Sequence, residues 1–263
     1  MYRLHLFEFE DLSWYPRILR EATTLYLEAV ERVFGVHHLV APKLAFALRQ
    51  AGVMSVVDMG SGGGGPVLRA VAEVEKLQPE RVDVTLTDLY PNERVAAAVE
   101  ARKEEHVRYL RRAVNASDPP PGLLGVQSMF AFFHHLPPRV AREVLEGAYE
   151  RRQAICIFEI TDPTPLGILA CVLMPIYVLL LTPFVRPLGV WQLLLTYVVP
   201  ILPLLIAWDG LVSTLRTYSP KDLEEMTHDL RGDRYRWEIG RLRHPSLPIT
   251  FPYAVGVPVP VSD

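Results

Sequence analysis

An apolar run that ends in an acidic residue and then breaks into closely spaced glycines constrains the fold more than any other feature of this chain. The strand-like run 55–58 ends in Asp58, and five of the six residues in 60–65 are glycine. Glycine lets the backbone turn sharply and come close to a ligand. Residues 67–77 have helical spacing, and the first N–H groups of a helix lack intrahelical partners. The sequence therefore predicts a small-molecule site at the first strand of an α/β sheet.

Asp58 bears on which of two cofactor classes these glycines serve. Gly60, Gly62 and Gly65 satisfy G-x-G-x-x-G, the dinucleotide fingerprint, which is a weak signal when it stands alone. A carboxylate shortly before the first glycine suits a ligand with a cationic amine and would repel a pyrophosphate. A cofactor with an amine is thus favoured, and NAD(P) binding stays as the alternative.

The pattern apolar-apolar-Asp-x-Gly-x-Gly-x-Gly resembles motif I of the class I S-adenosylmethionine-dependent methyltransferases. The resemblance covers about residues 53–162 and 208–260 and is most specific at this motif. It implies that the carboxylate and the loop serve the methionine end of S-adenosylmethionine. The residues concerned are Asp58, Gly60, Ser61, Gly62 and Gly64.

The same resemblance implies two further cofactor contacts. Asp88, followed by Leu89, ends the second predicted strand, where such sheets place a carboxylate for a ribose diol. Asn115 and Ala116 stand where the family often has Asp-Ala beside the adenine, and Asp118 is the alternative to Asn115.

The remaining pattern alternates strands and helices, which predicts an α/β fold with a doubly wound, mostly parallel sheet. An N-terminal helical cap is expected over 1–52, and the α/β domain over 53–263, interrupted by an apolar helical hairpin at 164–208. A helix is expected over 92–106. The predicted strands are 55–58, 82–88, 109–115, 125–131, 154–158, 235–243 and 249–257.

The apolar hairpin is the strongest local departure in composition. From Pro163 to Trp208 the only formally charged residue is Arg186, in a chain that is 22% charged. Its two arms, 166–185 and 188–208, each have roughly the 20 residues that a helix needs to cross a hydrocarbon core, although prolines are expected to kink them. Three interpretations stay open: a hairpin that inserts into a membrane, an apolar lid that lines the substrate pocket, or a homodimer interface.

Three titratable residues are candidates for chemistry. His134 and His135 follow the strand 125–131, at the sheet edge where open α/β folds bind ligands. Histidine titrates near neutrality and suits a general base. Glu159, at the end of 154–158, is the alternative base. The other histidines lack ligand spacing, so no catalytic metal is expected.

Composition limits the partners and the compartment. The net charge of −3 and the absence of a basic tract give no reason to expect nucleic acid. The two cysteines lie in apolar runs, and residues 1–14 lack the plan of a signal peptide, so a reducing environment is the default.

Together these features predict methyl transfer from S-adenosylmethionine to an apolar small molecule or lipid-like acceptor, of phenolic, quinone-like or isoprenoid type. The protein is expected at a membrane, with its catalytic domain on the cytoplasmic side. Two alternatives are an NAD(P)-dependent oxidoreductase and a membrane-anchored, non-catalytic scaffold that binds the cofactor.

Overall fold

The computed structural model describes residues 3–259 apart from His5, Ser13 and Pro187, and these residues group into two compact units. The sheet unit contains His37–Ile160, Ser219–Leu242 and the chain from Phe251 onward. The helical unit contains the chain up to Val36, Thr161–Tyr218 and Arg243–Thr250. The segment 164–208 thus groups with the N-terminal helical region.

The sheet unit is built on seven strands in the order β3-β2-β1-β4-β5-β7-β6. The strands are β1 (Ser55–Met59), β2 (Asp83–Thr87), β3 (Val107–Tyr109), β4 (Val126–Phe130), β5 (Ile155–Phe158), β6 (Tyr235–Arg243) and β7 (Thr250–Pro258). β1 to β5 pair in parallel, and β7 is antiparallel to β5. The predicted α/β class with a mostly parallel sheet is confirmed.

The strand order places the ligand-binding edge. From β1 the chain proceeds outward through β2 and β3, then returns to β4 on the other side of β1. Open α/β sheets bind ligands beyond the carboxyl ends of their strands at such a reversal. The glycine loop after β1 and the turn after β4 therefore lie on either side of it.

The helices of the sheet unit include one whose predicted end is wrong. They are α2 (Val36–Ala51), α3 (Gly65–Leu77), α4 (Glu93–Ala101), α5 (Pro138–Glu150) and α10 (Pro220–Met226). The helix predicted over 92–106 begins after its expected Asn92 cap but ends at Ala101. Lys103 adopts a left-handed φ of 55°, which cannot continue a helix.

The early end of α4 moves the next strand. Strand β3 covers Val107–Tyr109 rather than 109–115. The Leu110 N–H still donates to the Leu86 carbonyl at 2.9 Å, and the Val114 N–H then donates to the Asp88 carbonyl at 2.9 Å. Residues 111–115 therefore form a loop over the end of β2 instead of a strand.

The helical unit consists of α-helices of different lengths around an apolar centre. They are α1 (Arg17–Phe34), α6 (Pro165–Val172), α7 (Met174–Leu181), α8 (Val190–Leu193) and α9 (Ile201–Arg216), with a 3₁₀ turn at Thr182–Phe184 and a π-helical turn at Leu194–Val198. Tyr26 of α1 packs among apolar side chains of α7 and α9. Gly35, at φ 58°, ends α1, as a glycine in the left-handed conformation commonly does at a helix C-terminus.

Each arm of the apolar hairpin is broken rather than continuous. Over the described residues, no helix taken alone has both the length and the apolar character to cross a membrane. Two pairs meet that requirement only together: Pro165–Val172 with Met174–Phe184, bent by 55°, and Val190–Val198 with Ile201–Arg216, bent by 84°. Pro175 and Pro200 lie at the two breaks, where a missing N–H and a fixed φ interrupt helical pairing.

Candidate functional site

The glycine loop leaves β1 through three left-handed backbone positions. Gly60, Gly62 and Gly64 have φ values of +65°, +50° and +70°, a region that costs other L-residues about 1–2 kcal/mol each. A Cβ on Gly60 would lie 2.4 Å from the Phe132 ring, whereas a Cβ on Gly62 would meet nothing within 4 Å. The loop is thus tightly packed at its base and open at Gly62, as a cradle for a ligand requires.

Asp58 lies beneath this loop and is held by the register of the sheet. Asp58 of β1 stands directly beside Ser128 of β4, and the Ser128 hydroxyl donates to Asp58 Oδ1 at 2.6 Å. Asp58 is 2% exposed. The carboxylate therefore belongs to the buried floor of the site, where the low dielectric strengthens its attraction for a cationic group.

Two hydroxyl groups close the loop onto the neighbouring strand. Ser61 Oγ donates to the Asp58 carbonyl at 2.9 Å and accepts from the Thr87 N–H at 3.0 Å. Thr87 Oγ1 also donates to the Asp58 carbonyl, at 2.8 Å. These bonds tie the first turn of the loop to the end of β2.

Asp88, the predicted ribose ligand, reaches the loop from β2. Its Oδ2 accepts from the Gly62 N–H at 3.2 Å, and its Oδ1 accepts from the Tyr90 N–H at 2.9 Å. Burial raises the pKa of Tyr109, a hydrogen bond from the Asn92 N–H lowers it, and the charge of Asp88 raises it further. Asp88 thus holds the loop at Gly62 by a hydrogen bond. Leu89, the next residue, is exposed.

Asn115 lies in the loop after β3. Its Oδ1 accepts from the Ser117 N–H at 3.1 Å and from the Ser117 hydroxyl at 3.0 Å, which fixes the side chain in an Asx turn. Ala116 is buried and Asp118 is exposed. Since the Val114 N–H binds the Asp88 carbonyl, this loop is anchored to the end of β2.

His134 and Glu159 form a buried pair at the carboxyl ends of β4 and β5. Glu159 Oε2 lies 2.7 Å from His134 Nδ1, and Glu159 Oε1 accepts from the His134 N–H at 2.8 Å. Both side chains are almost fully buried. A carboxylate on Nδ1 selects the tautomer whose proton is on that nitrogen and makes Nε2 the basic atom.

The turn that carries His134 also contacts the glycine loop. Phe132 packs its ring against Gly60, and His135 stacks on His134 with ring centroids 4.2 Å apart. Ala131, between β4 and this turn, has a left-handed φ of 49°. A non-glycine residue in that region is strained by about 1–3 kcal/mol, and such strain is frequent at functional sites.

The sheet unit therefore brings the predicted residues to one edge in two groups. The loop, Asp58 and Asp88 form the first group, with the Asn115 loop anchored to Asp88. His134, His135 and Glu159 form the second, linked to the first through Phe132. Sequence reasoning missed Ser128, Thr87 and Phe132, although the polar side chains inside 126–130 and 83–87 are a signal that these strands serve more than packing.

Neither a known protein-family profile nor a curated protein sequence matches this chain. Solved structures do match it. The plantazolicin methyltransferase BpumL in complex with SAH has a TM-score of 0.52 at 12% identity, over 92% of this chain and 98% of that one. A second structure of that enzyme, with a monoazolic desmethylPZN analog and SAH, has a TM-score of 0.52 at 13% identity over the same shares.

A third similar structure is human N-acetylserotonin methyltransferase in complex with SAM. Its TM-score is 0.50 at 12% identity, over 92% of this chain and 57% of that chain. At such low sequence identity, these similarities show a shared fold only. The chain has the α/β fold of the S-adenosylmethionine-dependent methyltransferases of class I, as the resemblance at motif I implied.

Proposed function

We propose that this protein transfers a methyl group from S-adenosylmethionine to a hydroxyl group of an apolar acceptor. The observation that carries the proposal is the buried His134–Glu159 pair, placed one turn away from a glycine loop on a methyltransferase fold. A glycine loop alone is compatible with either S-adenosylmethionine or NAD(P). A carboxylate-oriented imidazole adds a base suited to removing a proton.

The residues of the loop fit this cofactor. Asp58 supplies a buried carboxylate for the amine of the methionine part, the opening at Gly62 admits the ligand, and Asp88 lies at the end of β2 for the ribose. Asn115 Oδ1 is engaged by Ser117, so its amide nitrogen is the group presented to an adenine. When bound, S-adenosylmethionine supplies an electrophilic methyl group on a sulfonium sulfur.

His134 and Glu159 divide the proton chemistry. Glu159 holds the Nδ1 proton of His134 and stabilises the imidazolium that forms. His134 Nε2 would accept the acceptor's hydroxyl proton as the oxygen takes the methyl group that the cofactor supplies, and this proton would later be released to water. His135 lies beside the pair and is the alternative base.

The proposed acceptor is apolar: a phenolic, quinone-like or isoprenoid molecule. Support comes from the segment 164–208, which follows Glu159, has Arg186 as its single charged residue and carries many exposed large apolar side chains. For the same reason we propose that the protein works at a membrane. The basic residues that flank the segment, Arg151, Arg152 and Lys221, favour the cytoplasmic side for the sheet unit. A homodimer through 164–208 is the competing use of this surface.

The experiment that tests this proposal follows a labelled methyl group. Purified protein is incubated with methyl-labelled S-adenosylmethionine and a total cell extract, and label is counted in organic, aqueous and protein fractions. Label in the organic fraction, lost in His134→Gln, supports transfer to an apolar acceptor. Label only in water or protein refutes the apolar acceptor, and absence of label from protein that binds the cofactor refutes methyl transfer.

A further inference from the structure

The helical unit exposes apolar side chains where soluble proteins expose polar ones. Six large apolar residues between 165 and 204 are 64–69% exposed: Val172, Leu180, Phe184, Val190, Val198 and Leu204. The only charged residue from Pro163 to Trp208 is Arg186. Soluble monomers seldom leave so much apolar surface in one segment without a partner.

Two threonines of the same segment point inward, and their hydroxyl groups have hydrogen-bond partners within the unit. Thr182 and Thr196 are fully buried. The Tyr26 hydroxyl contacts the Thr182 hydroxyl and lies 3.0 Å from Thr196 Oγ1. Tyr197, half exposed, donates its hydroxyl proton to the Leu179 carbonyl at 2.6 Å. Apolar side chains outside and hydrogen-bonded polar groups inside are the arrangement that hydrocarbon solvent favours.

An N–H group at each break of the helices has a hydrogen-bond partner within the segment. At the first break the Leu173 N–H donates to the Leu169 carbonyl at 3.0 Å, and at the second the Val199 N–H donates to the Leu194 carbonyl at 2.9 Å. Pro175 and Pro200 have no N–H to satisfy. Non-helical turns are therefore compatible with a lipid environment here, where unpaired backbone groups cost several kcal/mol each.

The helix lengths decide how deeply such a segment inserts. α6 and α7 have eight residues each and extend about 12 Å, whereas a hydrocarbon core is about 30 Å thick. α9 has 16 residues, but its second half contains Asp209 and Arg216, and Arg216 pairs with Glu8 at 3.0 Å. Only its first half is apolar, so each straight piece matches the depth of one leaflet.

We propose that the described residues of 165–206 insert into a single leaflet of a lipid bilayer and do not cross it. The Arg186 guanidinium donates to the Pro183 and Val185 carbonyls at 2.8 Å, and it lies at the level of the headgroups, as a long cationic side chain prefers. The inference rests on the membrane association proposed above and not on methyl transfer. Because lipid binding needs neither cofactor nor acceptor, its failure is separable from failure of the reaction.

The first test is flotation of the full-length protein with phosphatidylcholine vesicles in high salt. We expect it to float with the vesicles, and a Val172→Glu/Leu180→Glu variant to lose at least nine-tenths of this binding. The matched control, Leu77→Glu/Leu124→Glu, changes two exposed leucines of the sheet unit and keeps binding. Failure of the wild type to float, or a lipid-free dimer that the Val172→Glu/Leu180→Glu variant dissociates, overturns the proposal.

The second test separates insertion from spanning. Arg186→Cys protein is added to sealed vesicles and treated with a membrane-impermeant maleimide; the natural cysteines, Cys156 and Cys171, are buried. Labelling from the side of addition supports a single-leaflet position. Labelling that appears only after detergent opens the vesicles overturns it.

Discussion

Asp58 is the residue on which the cofactor class depends. Its carboxylate is buried and accepts a hydrogen bond from Ser128, so a positive ligand group stabilises it and a pyrophosphate does not. Asparagine at this position preserves the shape and the bond to Ser128 but removes the charge.

We therefore expect Asp58→Asn to weaken S-adenosylmethionine binding by about 10- to 100-fold, the size of a lost charged hydrogen bond, as measured by calorimetry. Asp83→Asn, at the exposed start of β2, is the matched control and should bind normally. Unchanged or improved cofactor binding in Asp58→Asn would instead favour the NAD(P) alternative.

The His134–Glu159 pair makes a prediction about rate. His134→Gln should lower kcat by about 10²- to 10⁴-fold, the usual contribution of a general base, with little change in cofactor affinity. Glu159→Gln should lower kcat less, and Glu159→Asp should recover part of it, since Glu159 acts by orienting His134. The comparison is His135→Gln: if that variant loses more activity than His134→Gln, the base has been assigned to the wrong histidine.

At the scale of elements, two glycines of the loop allow the cost of backbone strain to be measured separately from the cost of a steric clash. Gly60 and Gly62 both have positive φ, but only Gly60 faces a ring, that of Phe132. Gly62→Ala should cost about 1–2 kcal/mol of unfolding free energy from φ alone. Gly60→Ala should cost about 1–3 kcal/mol more, because the ring must move, as measured by urea denaturation. Equal losses of unfolding free energy in the two variants would mean that the Phe132 ring moves aside at no cost.

In the turn after β4, we expect a substitution to increase the stability of the protein. Ala131 occupies a left-handed position that glycine adopts without strain. Ala131→Gly should therefore raise the unfolding free energy by about 1 kcal/mol, and Arg152→Gly, at another left-handed position with φ 50°, provides the comparison. A loss of stability in Ala131→Gly alone would show that the alanine methyl contributes packing that outweighs the strain.

Strong local signals made several elements predictable from the sequence. Asp58 and the glycines that follow it are such signals, and they lie at the end of β1 and in the loop after it, as the pattern predicts. The end of α4 was not predictable because no glycine or proline marks it. The His134–Glu159 bond was not predictable, because it joins the ends of two neighbouring strands and its residues are 25 apart in sequence. The sequence indicates two alternative bases, whereas in the structure the two residues form one pair.

At the scale of the whole molecule, the two units are stabilised differently. The interior of the sheet unit is predominantly apolar. The helical unit contains carboxylates near its N-terminal segment: Asp209 Oδ1 accepts from the Phe9 N–H at 2.8 Å, and Arg216 binds Glu8 and Asp11. The pKa of Glu10 is raised to about 7, chiefly by burial and also by the charges of Asp209 and Glu8, while the charge of Arg20 acts in the opposite direction.

This arrangement makes stability depend on pH with a definite sign. Because the pKa of Glu10 in the folded protein, about 7, exceeds its usual value of 4.5, the folded state binds the proton more tightly than the unfolded state. The stabilisation from Glu10 is complete below pH 4.5 and is lost as the pH rises through 7, up to about 3 kcal/mol.

We expect Glu10→Gln, which stays neutral, to be more stable than the wild type at pH 8 and to lose this advantage at pH 5. Urea denaturation at both values measures the difference, with the exposed Glu80→Gln as control. A difference that is the same at both pH values would show that Glu10 is ionised in the folded protein throughout this range.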